Sequence, residues 1–307
     1  MKKFNLIKHE FWVKTNLGSV RTCKIGNSSS RHRVVIFTGL SEFYQKYLEL
    51  ISFLNNHDME ILIFDWPGLG SSGAYGNPPT TSHTAGFGDL LQAGCNVIDK
   101  SNWADKRFFV IGHSMGGHLA FRLASLNKYQ IAGIIALSPM MLPEVKPLIP
   151  IFIMTSLVSI LGFANKLIPH TDQNTLLKTR KFHPKNPLSR NQKNIEKIIG
   201  LINKKPSLAR SGVSFGWLSS ALYSCFKTTT SSIFLKKIKL PVLILVGSGD
   251  KLINMNAIQN SVKYLSNSQL VSFNDAKHEL YIEMPHVVEQ TQSCINRFIE
   301  KKLLEEE

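Results

Sequence analysis

The sequence predicts an α/β fold: a mostly parallel central sheet with helices on both faces, interrupted by one helical insertion. Three observations predict it. Short apolar runs alternate with amphipathic stretches in the first and last parts of the chain. Residues 140–237 break that alternation. The chain is long enough, at 307 residues with 43% hydrophobic and 19% charged, to bury one large core and carry an insertion.

In order, residues 10–25 read as short strands around a turn at Asn16–Gly18. VVIFTG (34–39) is a continuous apolar run, as a buried parallel strand requires. A helical stretch covers 44–56, with Tyr47, Leu48, Ile51 and Leu54 on one face. EILIFD (60–65) is a strand ending in the turn-rich WPGLGSSG, and 85–99 a helix. FFVIG (108–112) is a strand, Gly116 to Leu126 a helix and IAGIIALSP (131–139) a strand. After the insertion come LPVLILVG (240–247), a helix over 257–265, QLVSF (269–273) and a last helix from Val287 to Leu304. The expected division is therefore a core of 1–139 and 238–307, with 140–237 as a cap.

Charge is concentrated in that cap. The whole chain carries +15, and the fifteen Lys/Arg against three Asp/Glu of 140–237 account for +12 of it. A localised basic excess suits an anionic partner such as a membrane surface, or a solvated face; no nucleic-acid recognition motif accompanies it. Leu148 to Phe163 is apolar but too short, and broken by Pro150, for a membrane span, so it reads as a buried or interfacial helix. The N-terminal MKKFNLIKHEFWVKTN lacks the apolar core of a signal peptide. Cys23, Cys95, Cys225 and Cys294 are too scattered for a zinc site or a disulfide framework. A cytoplasmic protein, peripheral at most on the inner membrane, is the expectation.

Chemistry enters at Gly112-His113-Ser114-Met115-Gly116, a G-x-S-x-G between an apolar strand and a small-residue helix. That context is the nucleophile elbow of α/β-hydrolases. The sharp turn strains the serine's backbone, and side chains two residues before and after it would collide, which calls for Gly112 and Gly116. The helix N-terminus behind Ser114 supplies N–H groups and a dipole for a developing oxyanion. A serine needs a base and the base an orienting acid, here in the chain order Ser, acid, His. Asp250 follows LPVLILVGSG and His278 follows QLVSFNDAK, each just past a strand. Asp275 and Glu279 are too close to His278 in sequence to serve as its acid, while His170, His183 and His286 read as structural or solvated. The oxyanion donors expected are the backbone N–H groups of Met115 and, after VVIFTG, of Leu40 beside Gly39.

These segments resemble the bacterial lysophospholipases and monoacylglycerol lipases of the α/β-hydrolase superfamily. Gly39 to Tyr47 is similar to their G-x-x-E-F-x-x-K-Y, Asp65 to Gly73 to their D-W-R-G-x-G-x-S turn, and GHSMGG to their elbow. Gly247 to Asp250 and Ala276 to Glu279 are similar to their acid and base segments, and Pro206 to Leu218 to their lid. Thr38 stands where these proteins have His, and Pro67 where they have Arg. The resemblance implies metal-free, cofactor-free hydrolysis of one acyl ester on a glycerol-based lipid, with a lysophospholipase as the first expectation. A monoacylglycerol lipase, a thioesterase, a general esterase, or a non-catalytic membrane-binding protein of this fold are its alternatives. In the cap, Leu148 to Phe163 and Phe215 to Leu222 offer an acyl-chain lining, or simply pack on the core.

Overall fold

The computed structural model describes residues 8–30, 32–84 and 86–304. The first seven residues of the N-terminal stretch discussed above lie outside the described residues. The chain opens with an antiparallel hairpin, β1 (Lys8–Thr15) and β2 (Gly18–Ile25), turning at Asn16–Leu17. Next come β3 (His32–Phe37), a 3-10 turn (Tyr44–Tyr47), α1 (Leu48–Asn56) and β4 (Met59–Phe64). They are followed by α2 (Phe87–Lys100), β5 (Phe108–His113), α3 (Met115–Ser125) and β6 (Ile131–Leu137).

The stretch that breaks the alternation holds α4 (Leu148–Val158) with a π-turn (Ser159–Phe163), and α5 (Leu176–Thr179). It continues with α6 (Gln192–Lys204), α7 (Phe215–Lys227) and α8 (Ser232–Leu235). The alternation then resumes: β7 (Val242–Gly247), α9 (Met255–Val262), β8 (Ser268–Phe273) and α10 (Pro285–Leu304).

All eight strands form one sheet in the order β1-β2-β4-β3-β5-β6-β7-β8. From β4 onward every neighbouring pair is parallel. Strand periodicity decides which side chain faces which layer. Val35, Phe37, Val110 and Ile244 point to the face covered by α2, α3 and α7. Their neighbours Val34, Ile36, Ile111 and Leu243 point to the face covered by α1, α6 and α10. Both faces are buried, which is why these strands are apolar without a break. The connections after the carboxyl ends of β3, β5, β7 and β8 carry Leu40, Ser114, Asp250 and His278, so parallel topology alone brings them to one edge of the sheet.

One sequence reading is sharpened. Leu148 to Phe163 is α4 plus the π-turn, and its outward face is not buried: Ile160 is 81% exposed and Leu161 72%. No helix among the described residues is long and apolar enough to cross a membrane.

Candidate active site

β5 ends at His113 and α3 begins at Met115, leaving Ser114 alone at the bend with φ 51° and ψ −113°. A positive φ costs a non-glycine residue strain, so the surroundings must hold it. They do so through the backbone. Ser114 N donates to Leu137 O (3.0 Å), and Ser114 O accepts from Met140 N (3.0 Å) and His118 N (3.1 Å). The two elbow glycines have separate reasons. A Cβ on Gly112 would lie 2.5 Å from Gly116 O, whereas one on Gly116 would lie 2.0 Å from Phe37 O at the end of β3. The second glycine thus answers to the neighbouring strand rather than to the first.

Asp250 closes the turn after β7, and His278 sits past β8. Their side chains meet: His278 Nδ1 lies 2.7 Å from Asp250 Oδ2, and Asp250 Oδ1 accepts from Leu252 N at 2.9 Å. Burial pushes the Asp250 carboxyl up, but the His278 charge and hydrogen bond outweigh it and hold the pKa below the ordinary value. Neither rival carboxylate takes this place: Asp275 is exposed, and Glu279 turns away to Lys46. His170, His183 and His286 are all exposed.

Leu40, Ser114, Met115 and His278 line one cavity of about 740 Å³. Its walls are mainly aliphatic: Ile151 and Met154 from α4, Leu176 and Leu177 from α5, Ile198 and Ile202 from α6, Trp217 and Leu218 from α7. Of the two stretches considered for an acyl lining, each contributes two of these side chains.

Beneath the cavity lies an ionic cluster that sequence reasoning did not assign. Glu42, Lys46, His113 and Glu279 are all buried. Glu42 Oε2 accepts from Gly39 N (2.5 Å) and from Tyr47 OH; Oε1 accepts from Lys46 Nζ (3.2 Å) and Tyr281 OH (2.8 Å). Lys46 also donates to Glu279 Oε1 at 2.5 Å. His113 Nδ1 lies 3.2 Å from Glu42 Oε1, and its Nε2 lies 3.2 Å from His278 O. Both imidazole nitrogens therefore face oxygen acceptors, an arrangement that suits the doubly protonated ring. Accordingly, burial lowers the His113 pKa but the Glu42 carboxylate more than reverses this and raises it. Burial likewise pushes Glu42 up, and Lys46 and His113 together hold it well below the carboxylate range. The cluster joins the loop of Gly39–Leu40, the residue before Ser114 and the His278 loop. The signal was present in the E-F-x-x-K-Y spacing, which puts Glu42 and Lys46 four residues apart, but their common partners come from distant sequence.

A second buried histidine behaves oppositely. His118 on α3 pairs with Ser224 Oγ (2.7 Å) and Thr229 Oγ1 (3.1 Å), clipping the helix behind Ser114 to α7 and the turn after it. Burial, aided by Arg122, pushes its pKa down to about 3 from 6.5. Between those values the unfolded chain binds the proton and the folded one does not, so stability falls with falling pH, by about 1.4 kcal/mol for each unit. His118→Gln is neutral and is expected to remove that slope below pH 6.5. Urea unfolding over a pH series checks this, and a slope equal to that of the unaltered protein refutes it.

A hydroxyl at a strained elbow, an imidazole and a buried carboxylate behind it are the components of acyl transfer. Comparison with known proteins points the same way. The model of the Hydrolase_4 family (serine aminopeptidase, S33) matches residues 28–285. The chain is similar to the monoglyceride lipase of Mus musculus, 24% identical over 292 residues, covering 93% of this chain and 88% of that protein. It is similar to the probable lysophospholipase L2 of Haemophilus influenzae, 23% identical over 285 residues, covering 89% and 85%. Among solved structures it resembles the monoacylglycerol lipase of Paleococcus ferrophilus, with a TM-score of 0.68, 23% identity and coverage of 92% and 98%.

Proposed function

The chain belongs to the Hydrolase_4 (serine aminopeptidase, S33) family of serine hydrolases, and from that premise we propose that it cleaves the acyl ester of a monoacyl glycerolipid through Ser114, His278 and Asp250. His278 takes the Ser114 proton as the oxygen attacks the acyl carbonyl, and Asp250 orients and stabilises the imidazolium. The N–H groups of Leu40 and Met115 hold the oxyanion. The leaving alcohol departs with the proton from His278, and water, activated by the same histidine, releases the fatty acid.

The observation that carries this reading is the mainly aliphatic cavity over Ser114, whose lining suits an apolar acyl chain. Residues 140–237, whose helices supply most of its walls, are read as a cap. The charge of the lining supports one headgroup over the other. Among the cations that line the cavity, Lys46 is held by Glu42 and Glu279, and Arg210 donates to the carbonyls of Gly68, Ser207 and Ala209. Lys146 is paired with Glu144 at 2.7 Å. A phosphate inside would find the buried Lys46 and Arg210 with their donors already engaged, and burying a charge without a partner is costly. An uncharged monoacylglycerol is therefore the first substrate, ahead of the lysophospholipid that the sequence put first. Turnover of monoacylglycerols, lysophospholipids and short acyl esters, measured side by side, tests this; a preference for the phosphate-bearing lipids refutes the order, and failure on all acyl esters refutes the reading.

The outward face of α4 and its π-turn supports docking on an anionic bilayer. Ile149, Ile153, Leu157, Ile160, Leu161 and Phe163 are more than half exposed. No acidic residue occurs between Glu144 and Asp172, while Lys146 and Lys166 flank the patch. Leu161→Asp is expected to weaken co-sedimentation with phosphatidylglycerol vesicles about tenfold, the worth of one buried leucine, with turnover of a soluble ester unchanged. Unaltered vesicle binding sinks the docking face.

A further inference from the structure

The loop that carries His278 is held mainly by the segment between α5 and α6, not by the sheet it follows. Three consecutive amides of that loop are occupied. Lys277 N donates to Glu283 Oε1 (3.1 Å), His278 N to Pro187 O (3.4 Å) and Glu279 N to Leu188 O (2.8 Å). Glu283, wholly buried, also accepts from Arg190 N with the same Oε1 (2.9 Å) and from Met284 N with Oε2 (2.7 Å). The Lys277 side chain reaches back to the carbonyls of Pro184 (2.7 Å) and Asn186 (2.6 Å).

We propose that residues 184–190 form a clasp that sets the position of His278, with Glu283 as the positioning residue that locks clasp and loop together. The proposal rests on His278 being the catalytic base. Its physical basis is that one carboxylate oxygen can accept more than one N–H: Oε1 takes Arg190 N from the clasp and Lys277 N from the His278 loop, while Oε2 takes Met284 N. The ring of His278 must face Ser114 while its Nδ1 meets Asp250, and the backbone on which it pivots has its amides tied to the clasp and its carbonyl to His113. A part of the cap whose bonds hold the base is not free to open. Opening is then left to α4 and the π-turn, on the other side of the cavity.

Glu283→Leu is close in size but offers no acceptor. It therefore removes both bonds to Oε1, the one from Arg190 N and the one from Lys277 N, whereas a glutamine could keep its oxygen in that place. A displacement of about 1 Å at a catalytic group can cost roughly a hundredfold. Glu283→Leu is accordingly expected to lower kcat by about ten- to a hundredfold with KM unchanged, counted per active site by fluorophosphonate titration. It should also shift the low-field proton resonance of the His278–Asp250 hydrogen bond, which a merely destabilised but correctly assembled site would keep. A folded Glu283→Leu protein with the unaltered kcat and resonance overturns the proposal. If that variant does not fold, Lys277→Met decides: it cuts the bonds to Pro184 and Asn186 from a side chain that is not buried. A fall in its kcat at unchanged melting temperature supports the clasp, and an unchanged kcat overturns it. Full activity of Ser114→Ala, by contrast, would remove the triad reading beneath both.

Discussion

Ser114→Ala is expected to lower kcat on a monoacylglycerol by roughly 10⁶-fold, to the residual rate that binding and the oxyanion donors alone sustain. The loss is large because the hydroxyl is the only group at the elbow that can form the acyl-enzyme, and the imidazole behind it has no other nucleophile to activate. Folding should survive. Ser114 is held through its backbone N–H and C=O to Leu137, Met140 and His118, and alanine keeps all three bonds. Thermal unfolding should therefore move little while fluorophosphonate labelling disappears. Asp250→Asn should cost less, on the order of 10⁴-fold, since it leaves serine and histidine in place but favours the wrong imidazole tautomer. Combining it with Ser114→Ala should add almost nothing, because the groups act as one unit. If Ser114→Ala kept even a hundredth of the activity, the assignment of the nucleophile would be wrong.

Glu42→Ala should have a large effect of another kind, acting on stability and rate together. The carboxylate is the shared acceptor of Gly39 N, Tyr47 OH, Tyr281 OH and Lys46, with His113 beside it. Deleting it strands buried donors and leaves Lys46 with Glu279 alone. Breaking a buried ion pair from one side typically costs about 3–5 kcal/mol, so a loss of that size is expected in urea unfolding. The rate should fall as well. Glu42 fixes the Gly39 amide, and the next amide along is that of Leu40, the proposed oxyanion donor in the cavity wall. Loss of one such donor costs about 10²–10³ in kcat. The folded fraction of Glu42→Ala should thus show a depressed kcat with a similar KM. Stability within about 1 kcal/mol of the unaltered protein would show that the cluster is not what ties the loops together.

Much of the fold was legible because the signals are local. A strand buried on both faces must be apolar throughout, so β3 to β7 stand out as uninterrupted runs, and the helices between them repeat apolar residues every three or four positions. The positions of Ser114, Asp250 and His278 are legible for the same reason, since each follows a strand that can be recognised in isolation; of the elbow glycines, Gly112 answers to the bend itself and Gly116 to Phe37 on the neighbouring strand. Even the concentration of charge in 140–237 needs only counting.

What tertiary structure decided depends on partners far apart in sequence. Glu42 and Lys46 lie only four residues apart, but folding alone brings Glu279, Tyr281 and His113 to them, from as far as 239 residues away. Pattern could not say whether Leu148 to Phe163 is buried or outward-facing, because an apolar helix looks the same against protein or lipid; the packing of α4 over the cavity leaves its other face exposed. Nor could it say that the buried Arg210 and Lys46 of the cavity lining are already engaged, Arg210 by backbone carbonyls and Lys46 by Glu42 and Glu279. The sequence by itself determined the sheet and placed Ser114, Asp250 and His278, the proposed nucleophile, acid and base, after its strands, because backbone periodicity acts over a few residues. The tertiary structure decided the charge state of the site and the support beneath its loops, because the energy of a buried charge depends on which distant groups surround it.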